Sequence, residues 1–150
     1  MTIVERAFHE SELPEPARAY ARDTITLGWE ARLQGHGRRR TDGGIDFGLS
    51  LPRGSILREG DYLVLDAESA IVAVVERPEA VFVIEPRSAS EWALWAYHIG
   101  NRHQPVMITD HALLCPELPG VEQLLYQQHI PHTRALRPFT PATAVAGHQH

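Results

Sequence analysis

Histidines are the residues of this sequence whose number and spacing could support chemistry. Nine of the 150 residues are histidine, and six of these nine lie after residue 100. Imidazole nitrogen is a good ligand for nickel, copper and zinc, whereas one cysteine, Cys115, cannot build a thiolate-rich site. The pattern therefore indicates a histidine metal site more strongly than any other chemistry.

The first candidate ligand is His103, which follows His98 by five residues. On an uninterrupted helix this spacing sets the two side chains more than about 90° apart, so they could not chelate one ion together. We expect Gly100 to end a helix between them, because glycine tolerates the left-handed conformation. By spacing alone, a lone histidine is more often structural than a ligand, and His98 is expected to pack against its apolar neighbours.

A second candidate pair stands at the end of the chain, where His148 and His150 are separated by one residue. In an extended segment both side chains project to the same side and could share an ion. The alternative is that they are a feature of composition without a role. His129 and His132 flank a turn at residues 130–131, and we expect both to be exposed.

The sequence gives little indication of enzymatic activity. The sequence has no Gly-x-Ser-x-Gly elbow, no Walker loop, no Gly-x-Gly-x-x-Gly and no His-Glu-x-x-His. A nucleophile pair of Cys115 with His111 is conceivable. However, Cys115 ends an apolar run, where an inert buried thiol is the usual outcome. We therefore predict that the chain is not an enzyme.

Residues 1–76 must provide one scaffold, and their pattern predicts β-structure. Residues 24–27 and 48–51 alternate polar with apolar side chains, as half-buried strands do, and residues 71–75 form a β-branched run. Residues 34–44 are rich in glycine and charge, which predicts a bent hairpin or a connection at a sheet edge. We expect a small N-terminal β-sandwich or barrel-like domain.

Residues 77–139 show a different order of elements. Strand patterns at 81–84, 106–108, 112–115 and 133–136 alternate with helical patterns at 92–99 and after Pro119-Gly120. On the first helix, Leu94, Trp95, His98 and Ile99 are expected near one face. The order βαββαβ is the ferredoxin-like plan, so the fold class is α+β. From Pro138 onward we expect a mobile tail, with residues 140–150 as a flexible histidine-containing segment.

Composition and charge limit the partners and the cellular location that we expect for this protein. A net charge of −5 argues against nucleic-acid binding, which depends on neutralising phosphates. No apolar run approaches the roughly 20 residues that span a bilayer, and residues 1–6 lack a signal-peptide hydrophobic core. With one cysteine and no internal disulfide, we expect a cytoplasmic protein that binds neither nucleic acid nor membrane.

Several segments taken together resemble one known family, the urease accessory protein E family of nickel metallochaperones. The resemblance covers nearly the whole chain in the expected order. It is carried by Tyr97-His98-Ile99-Gly100-Asn101-Arg102-His103-Gln104-Pro105, the basic and turn residues 38–44, Gly48-Leu49-Ser50-Leu51-Pro52-Arg53-Gly54, Leu57-Arg58-Glu59-Gly60-Asp61 and Arg137-Pro138-Phe139-Thr140-Pro141.

This resemblance implies an N-terminal domain that contacts partners or peptides and a ferredoxin-like domain that holds metal. It implies a homodimer in which His103 of each subunit binds Ni²⁺ at the two-fold axis, with His148 and His150 as additional ligands. Zn²⁺ or Cu²⁺ could occupy the same site. Some relatives carry an extra histidine pair that is absent from residues 115–119 here, and no ligand role passes to His111.

The implied function is delivery of nickel to apo-urease during maturation, together with the other urease accessory proteins, including the urease GTPase. The alternative is a peptide-binding or assembly module of the maturation complex in which the histidines are incidental. A metal-dependent hydrolase would need a carboxylate base beside the metal, and the segment around His103 contains no acid.

Overall fold

The computed structural model of the protein describes residues 1–144. The chain divides into two compact units, Met1–Arg77 and Pro78–His150, so the division lies one residue from the expected boundary. Each unit has its own cluster of buried apolar side chains. Within residues 1–144, no helix is long and apolar enough to cross a membrane.

The first unit is built from two β-sheets. The strands are β1 (Ile3–Val4), β2 (Phe8–His9), β3 (Ala21–Leu27), β4 (His36–Arg40), β5 (Asp46–Ser50), β6 (Asp61–Leu65) and β7 (Ala70–Glu76). One sheet has the order β1-β5-β4 and the other the order β2-β6-β7-β3, with the pairs β1/β5 and β3/β7 parallel. The unit also contains the short helix α1 (Trp29–Leu33) and the 3₁₀ turns Glu10–Glu12 and Glu15–Ala19.

The larger buried cluster of this unit lies between its two sheets, and a smaller one lies on the other face of β6 and β7. The larger cluster contains Phe47 and Leu49 of β5, Leu63 of β6 and Val72 of β7. Because strand residues alternate between faces, the apolar side of each sheet meets the apolar side of the other. The expected β-sandwich is therefore confirmed, and residues 34–44 form β4 and the hairpin turn into β5. The sequence pattern does not predict the helix α1.

The second unit has the ferredoxin-like order of elements. These are β8 (Glu79–Ile84), α2 (Ala89–Asn101), β9 (Met107–Ile108), β10 (Leu113–Pro116), α3 (Val121–Gln127) and β11 (Thr133–Arg137). The sheet order is β11-β8-β10-β9, and the paired strands are antiparallel. Both the fold class and the βαββαβ plan predicted from the sequence are confirmed.

Helix α2 packs on this sheet through one face. Ser88 caps its first turn by accepting a hydrogen bond from the Glu91 backbone N–H at 3.1 Å. Trp95 and Ile99, four residues apart, are buried, as expected for one face of a helix. Leu94 was expected on that face, but the structure leaves it 53% exposed, since consecutive helix residues differ in direction by about 100°.

The expectation of a mobile segment beginning at residue 138 is wrong for its first residues. Phe139 and Thr140 are 0% and 2% exposed. Burial of an aromatic side chain of this size stabilises the folded state. The prolines around Phe139 predict an irregular segment, and that pattern does not indicate that Phe139 is buried. His148 and His150 lie outside the described residues.

Candidate metal centre at the end of helix α2

His103 adopts a left-handed backbone conformation, with φ of 57°. Its N–H donates to the carbonyl of Gly100 at 2.9 Å, and the N–H of Gln104 donates to the carbonyl of Ile99 at 3.3 Å. These two bonds define a Schellman motif, in which the residue after the C-cap is left-handed. The imidazole is therefore held at a defined helix terminus, not on a flexible loop.

This geometry corrects the expected role of Gly100. The helix continues through Gly100 to Asn101, and Arg102 is its C-cap with φ of −90°. A side-chain Cβ placed on Gly100 would meet no atom within 4 Å. Neither backbone conformation nor crowding within one chain thus requires glycine here, although glycine in a helix is less stable than alanine by roughly 1 kcal/mol.

The surface next to His103 is apolar and exposed. Leu94 and Tyr97 are 53% and 62% exposed. Residues three and four apart in a helix are surface neighbours, so Leu94, Tyr97 and Gly100 form a line along α2 that leads to its C-terminal end. We call these three residues the outer stripe of α2. His103, itself exposed, lies just beyond this stripe.

Two opposing charges act on a cation at this position. The C-terminal end of a helix carries a partial negative charge, which favours cation binding. Arg102, adjacent to His103 and exposed, disfavours it. Residues 1–144 contain no cluster of three or more His, Cys, Asp or Glu side chains able to hold a metal ion. The described residues of one chain therefore do not provide a full set of metal ligands around His103.

The other histidines have different surroundings. His98 is half-buried on α2, with its ring 5.7 Å from that of Tyr97. His111 is exposed in the turn between β9 and β10. His129 is exposed and left-handed, with φ of 55°, at the end of α3. Among the described residues, none of these histidines joins His103 in a group of three or more side chains that could hold a metal ion.

The expectation that His132 is exposed is wrong. Its side chain is 8% exposed, and its ring makes edge contacts with Phe82 and Tyr126 at centroid distances of 5.3 and 5.1 Å. Its Nδ1 lies 3.0 Å from the carbonyl of Ile130, and Nε2 lies 3.5 Å from the Glu122 carboxylate. His132 therefore has a packing and hydrogen-bonding role at the start of β11.

Cys115 is not a nucleophile. It is 0% exposed on β10, and burial raises the pKa of its thiol to about 12. Because the thiolate is the reactive form, the thiol is inert at neutral pH. This agrees with the expectation from the apolar run around it.

The sequence patterns missed two features near the centre. The left-handed position falls on a histidine, whereas pattern rules assign it to glycine. The exposure of Leu94 and Tyr97 could have been found from spacing, since residues 94 and 97 project away from residues 95 and 99 on a helical wheel.

These features together define a two-domain α+β protein in which the exposed His103 lies at the end of α2 beside an apolar stripe. Residues 3–76 match the N-terminal domain of the family described as UreE urease accessory protein, and residues 79–150 match its C-terminal domain. The chain belongs to the UreE urease accessory protein family, which is named for accessory proteins and not for an enzyme.

Individual relatives agree with this assignment. The urease accessory protein UreE of Burkholderia vietnamiensis (strain G4 / LMG 22486) is 35% identical over 129 residues, which are 85% of this chain and 64% of that protein. The protein of the same name from Burkholderia mallei (strain SAVP1) is 36% identical over 128 residues, which are 84% of this chain and 63% of that protein. The chain thus spans somewhat less than two thirds of the length of these relatives.

Proposed function

We propose that this protein is a nickel carrier of urease maturation, acting in the cytoplasm as a homodimer that binds Ni²⁺ between His103 of its two protomers. The observation that carries this proposal is the position of His103, held by a Schellman motif at the end of an exposed apolar stripe. Membership of a urease accessory family provides the biological context.

A symmetric dimer supplies what one chain lacks. In a two-fold dimer the same surface patch contacts its copy, so a residue near the axis occurs twice at one place. Packing of the outer stripe of α2 against its copy would bury Leu94 and Tyr97 and bring two imidazoles toward one ion. Gly100 supports this arrangement, because a bare backbone on the same stripe permits close approach of a partner.

The ligand type suits transfer of the metal. Nickel is bound well by imidazole, and a site shared by exposed histidines at an interface allows one ligand to be exchanged at a time. Copper binds such sites more tightly than nickel by the usual order of divalent metals. Selectivity for nickel would therefore depend on metal supply or on the receiving partner.

The proposed receiver is apo-urease, reached through its accessory proteins including the urease GTPase. The proposed role for the N-terminal β-sandwich is contact with these partners. His148 and His150 are proposed as further nickel ligands.

The test is nickel titration calorimetry of His103→Asn with His129→Asn as a matched control. Both histidines are left-handed at helix ends, and asparagine tolerates that conformation, so each variant removes an imidazole without adding backbone strain. We expect His103→Asn to weaken nickel binding at least about tenfold, since a first ligand is lost, and His129→Asn to leave it unchanged. Unchanged nickel affinity and stoichiometry in His103→Asn would overturn the proposal.

A second measurement distinguishes a nickel carrier from an assembly module of the maturation complex. Metal-free wild-type protein and His103→Asn should both co-purify with the urease maturation complex, while only the wild type should increase nickel delivered to apo-urease. Equal nickel delivery by both forms would favour an assembly module in which His103 is incidental.

A further inference from the structure

The sheet β1-β5-β4 of the first unit packs on the core with one face and exposes the other. Phe47 and Leu49 of β5 face the core and are 0% and 4% exposed. The side chains that alternate with them along β5, and those paired with these on β4, point the opposite way. The exposed side chains on this opposite side, which we call the outer face, are His36, Arg38 and Arg40 of β4 and Asp46 and Ser50 of β5.

The outer face carries a local positive charge in an acidic protein. Strands β4 and β5 together contain three arginines and one aspartate, a net charge of +2, whereas the whole chain has a net charge of −5. Arg40 donates to the two oxygens of the Asp46 carboxylate at 2.8 and 3.2 Å. These hydrogen bonds, together with the charges of Arg40 and Arg38, lower the pKa of Asp46. One carboxylate thus serves two arginines of the outer face, and positive charge remains in excess.

Arg39 protects the edge of this sheet against the addition of a strand. β4 is an edge strand. The Arg39 guanidinium donates to the backbone carbonyls of Arg38 at 2.8 Å, Gln34 at 2.9 Å and His36 at 3.3 Å. A strand that adds to an edge must bond the backbone groups of that edge, and here it would compete with Arg39 for two carbonyls of β4. A partner is therefore expected on the side chains of the outer face and not on the backbone edge.

The spacing of the outer-face cations fits an extended acidic segment. His36, Arg38 and Arg40 project from alternate residues of one strand, so successive side chains are roughly 7 Å apart. Carboxylates at every second residue of an extended partner have the same spacing. A long polyanion such as nucleic acid would also lie over other surfaces of a chain whose net charge is −5, and these would repel it. A short acidic segment avoids that repulsion.

We propose that the outer face is the surface of the N-terminal domain that docks an extended acidic segment of a urease maturation partner, with Arg38 at its centre. This inference rests on the proposed function, which supplies the identity of the partner. His103 belongs to the other unit, so partner docking and nickel binding should respond to different substitutions.

The test compares charge reversal on the outer face with the same reversal on the other sheet. Arg38→Glu reverses the central charge, and Arg38→Lys keeps it. Arg22→Glu on β3, where the Arg22 side chain is 51% exposed, is the matched control. Biolayer interferometry at low and high salt measures binding of each metal-free protein to the purified complex of apo-urease with its accessory proteins. Thermal melting shows that each variant is folded, and calorimetry measures its nickel affinity.

We expect Arg38→Glu to weaken binding to the complex at least about tenfold at low salt, because a like charge then faces the acidic segment. Its binding should also depend less on salt than that of the wild type. Arg38→Lys and Arg22→Glu should bind the complex nearly as the wild type does. All three variants should keep the nickel affinity of the wild type.

A peptide titration tests the spacing directly. Two peptides of the same composition are compared, one in which three glutamates alternate with threonines and one in which the three glutamates are adjacent. In NMR titrations the alternating peptide should bind more tightly and shift the backbone signals of β4, and Arg38→Glu should abolish the difference. Equal binding of the two peptides would overturn the proposed register.

Contrary results at the complex have distinct meanings. Unchanged binding by Arg38→Glu, or an equal loss in Arg22→Glu, overturns the docking surface. A changed sedimentation of Arg38→Glu would assign the outer face to a second copy of the chain, and loss of binding to phosphatidylglycerol vesicles instead of to the complex would assign it to a lipid surface. Either result overturns the proposal. No binding by the wild type would overturn partner contact itself, whereas full nickel binding by His103→Asn would overturn the nickel-carrier function and leave the docking result standing.

Discussion

Helices α2 and α3 end in the same backbone motif, and each places a histidine in its left-handed position. In α3 the N–H of His129 donates to the carbonyl of Tyr126 at 3.1 Å, and the N–H of Ile130 donates to that of Leu125 at 2.8 Å. These bonds reproduce those of α2 residue for residue. Both helix ends also rest on a buried aliphatic side chain, Ile99 in α2 and Leu125 in α3, each 0% exposed.

The two ends differ at the other positions of the motif. Where α2 has Gly100, α3 has Tyr126, which is 66% exposed. After the left-handed histidine, α2 continues with the half-buried Gln104, whereas α3 continues with Ile130, which is 2% exposed. The end of α3 is thus closed against its own core by the apolar contact that usually accompanies the motif.

This contrast shows that a backbone position does not by itself make a site. The motif holds either imidazole equally well. What distinguishes His103 is its setting, because the outer stripe of α2 is apolar, exposed and interrupted by a bare glycine, while α3 presents polar side chains and Tyr126. In the proposed dimer, these surroundings would place His103 at the contact with the second protomer.

The largest expected effect comes from giving α2 the residue of α3. Gly100→Tyr should fold, because a Cβ at this position meets no atom within 4 Å. In the proposed dimer it would hold the two outer stripes apart, and we expect dimer affinity to fall at least about 100-fold, as for a disrupted interface centre. Sedimentation of the metal-free protein measures this.

The reciprocal variant Tyr126→Gly is its control and should leave the sedimentation of the protein unchanged. A dimer of normal affinity in Gly100→Tyr would show that the outer stripe is not the interface. Loss of the dimer in Tyr126→Gly would place the interface at α3 instead.

The next effect concerns stability at the position after each left-handed histidine. Ile130→Ala should lower the free energy of unfolding by about 2–4 kcal/mol, because it removes buried methyl groups and leaves a cavity. Gln104→Ala should change it by no more than about 0.5 kcal/mol, as expected for a partly exposed polar side chain. Urea denaturation of both variants measures the difference. Similar losses would mean that both helix ends depend on the same apolar contact.

The comparison also shows where sequence patterns succeed and where they stop. Alternation and β-branched runs located β7 and β8, and the order of elements predicted the ferredoxin-like unit, because these signals are local. The end of α2 was misplaced at Gly100 because the usual left-handed residue is glycine. Only the tertiary structure shows that the chain turns at His103.

The burial of Phe139 and Thr140 is not predicted by the sequence for a related reason. Prolines around Phe139 predict an irregular segment, which is what residues 138–141 are. An irregular segment need not be mobile, however: Phe139 is buried, and the Thr140 N–H lies 3.4 Å from Sδ of Met107, which is 33 residues earlier in the sequence. Such long-range burial leaves no periodic signal in the segment itself. The proposed metal role of His103 likewise depends on the whole-chain resemblance, because its spacing favours a structural role.

The smallest expected effect separates backbone strain from chemistry at the two histidines. A left-handed residue other than glycine is strained, so His103→Gly and His129→Gly should each raise the free energy of unfolding of the metal-free protein by about 1 kcal/mol. Urea denaturation measures both, and nickel titration of the same samples completes the comparison. His129→Gly should become more stable and keep its nickel affinity. His103→Gly should become more stable and lose nickel affinity. This result would mean that the strained backbone of His103 at the end of α2 is needed for nickel binding and not for stability. A gain in stability at His129 alone would mean that contacts of the His103 side chain offset its backbone strain, and the two helix ends would then differ in energy as well as in surroundings.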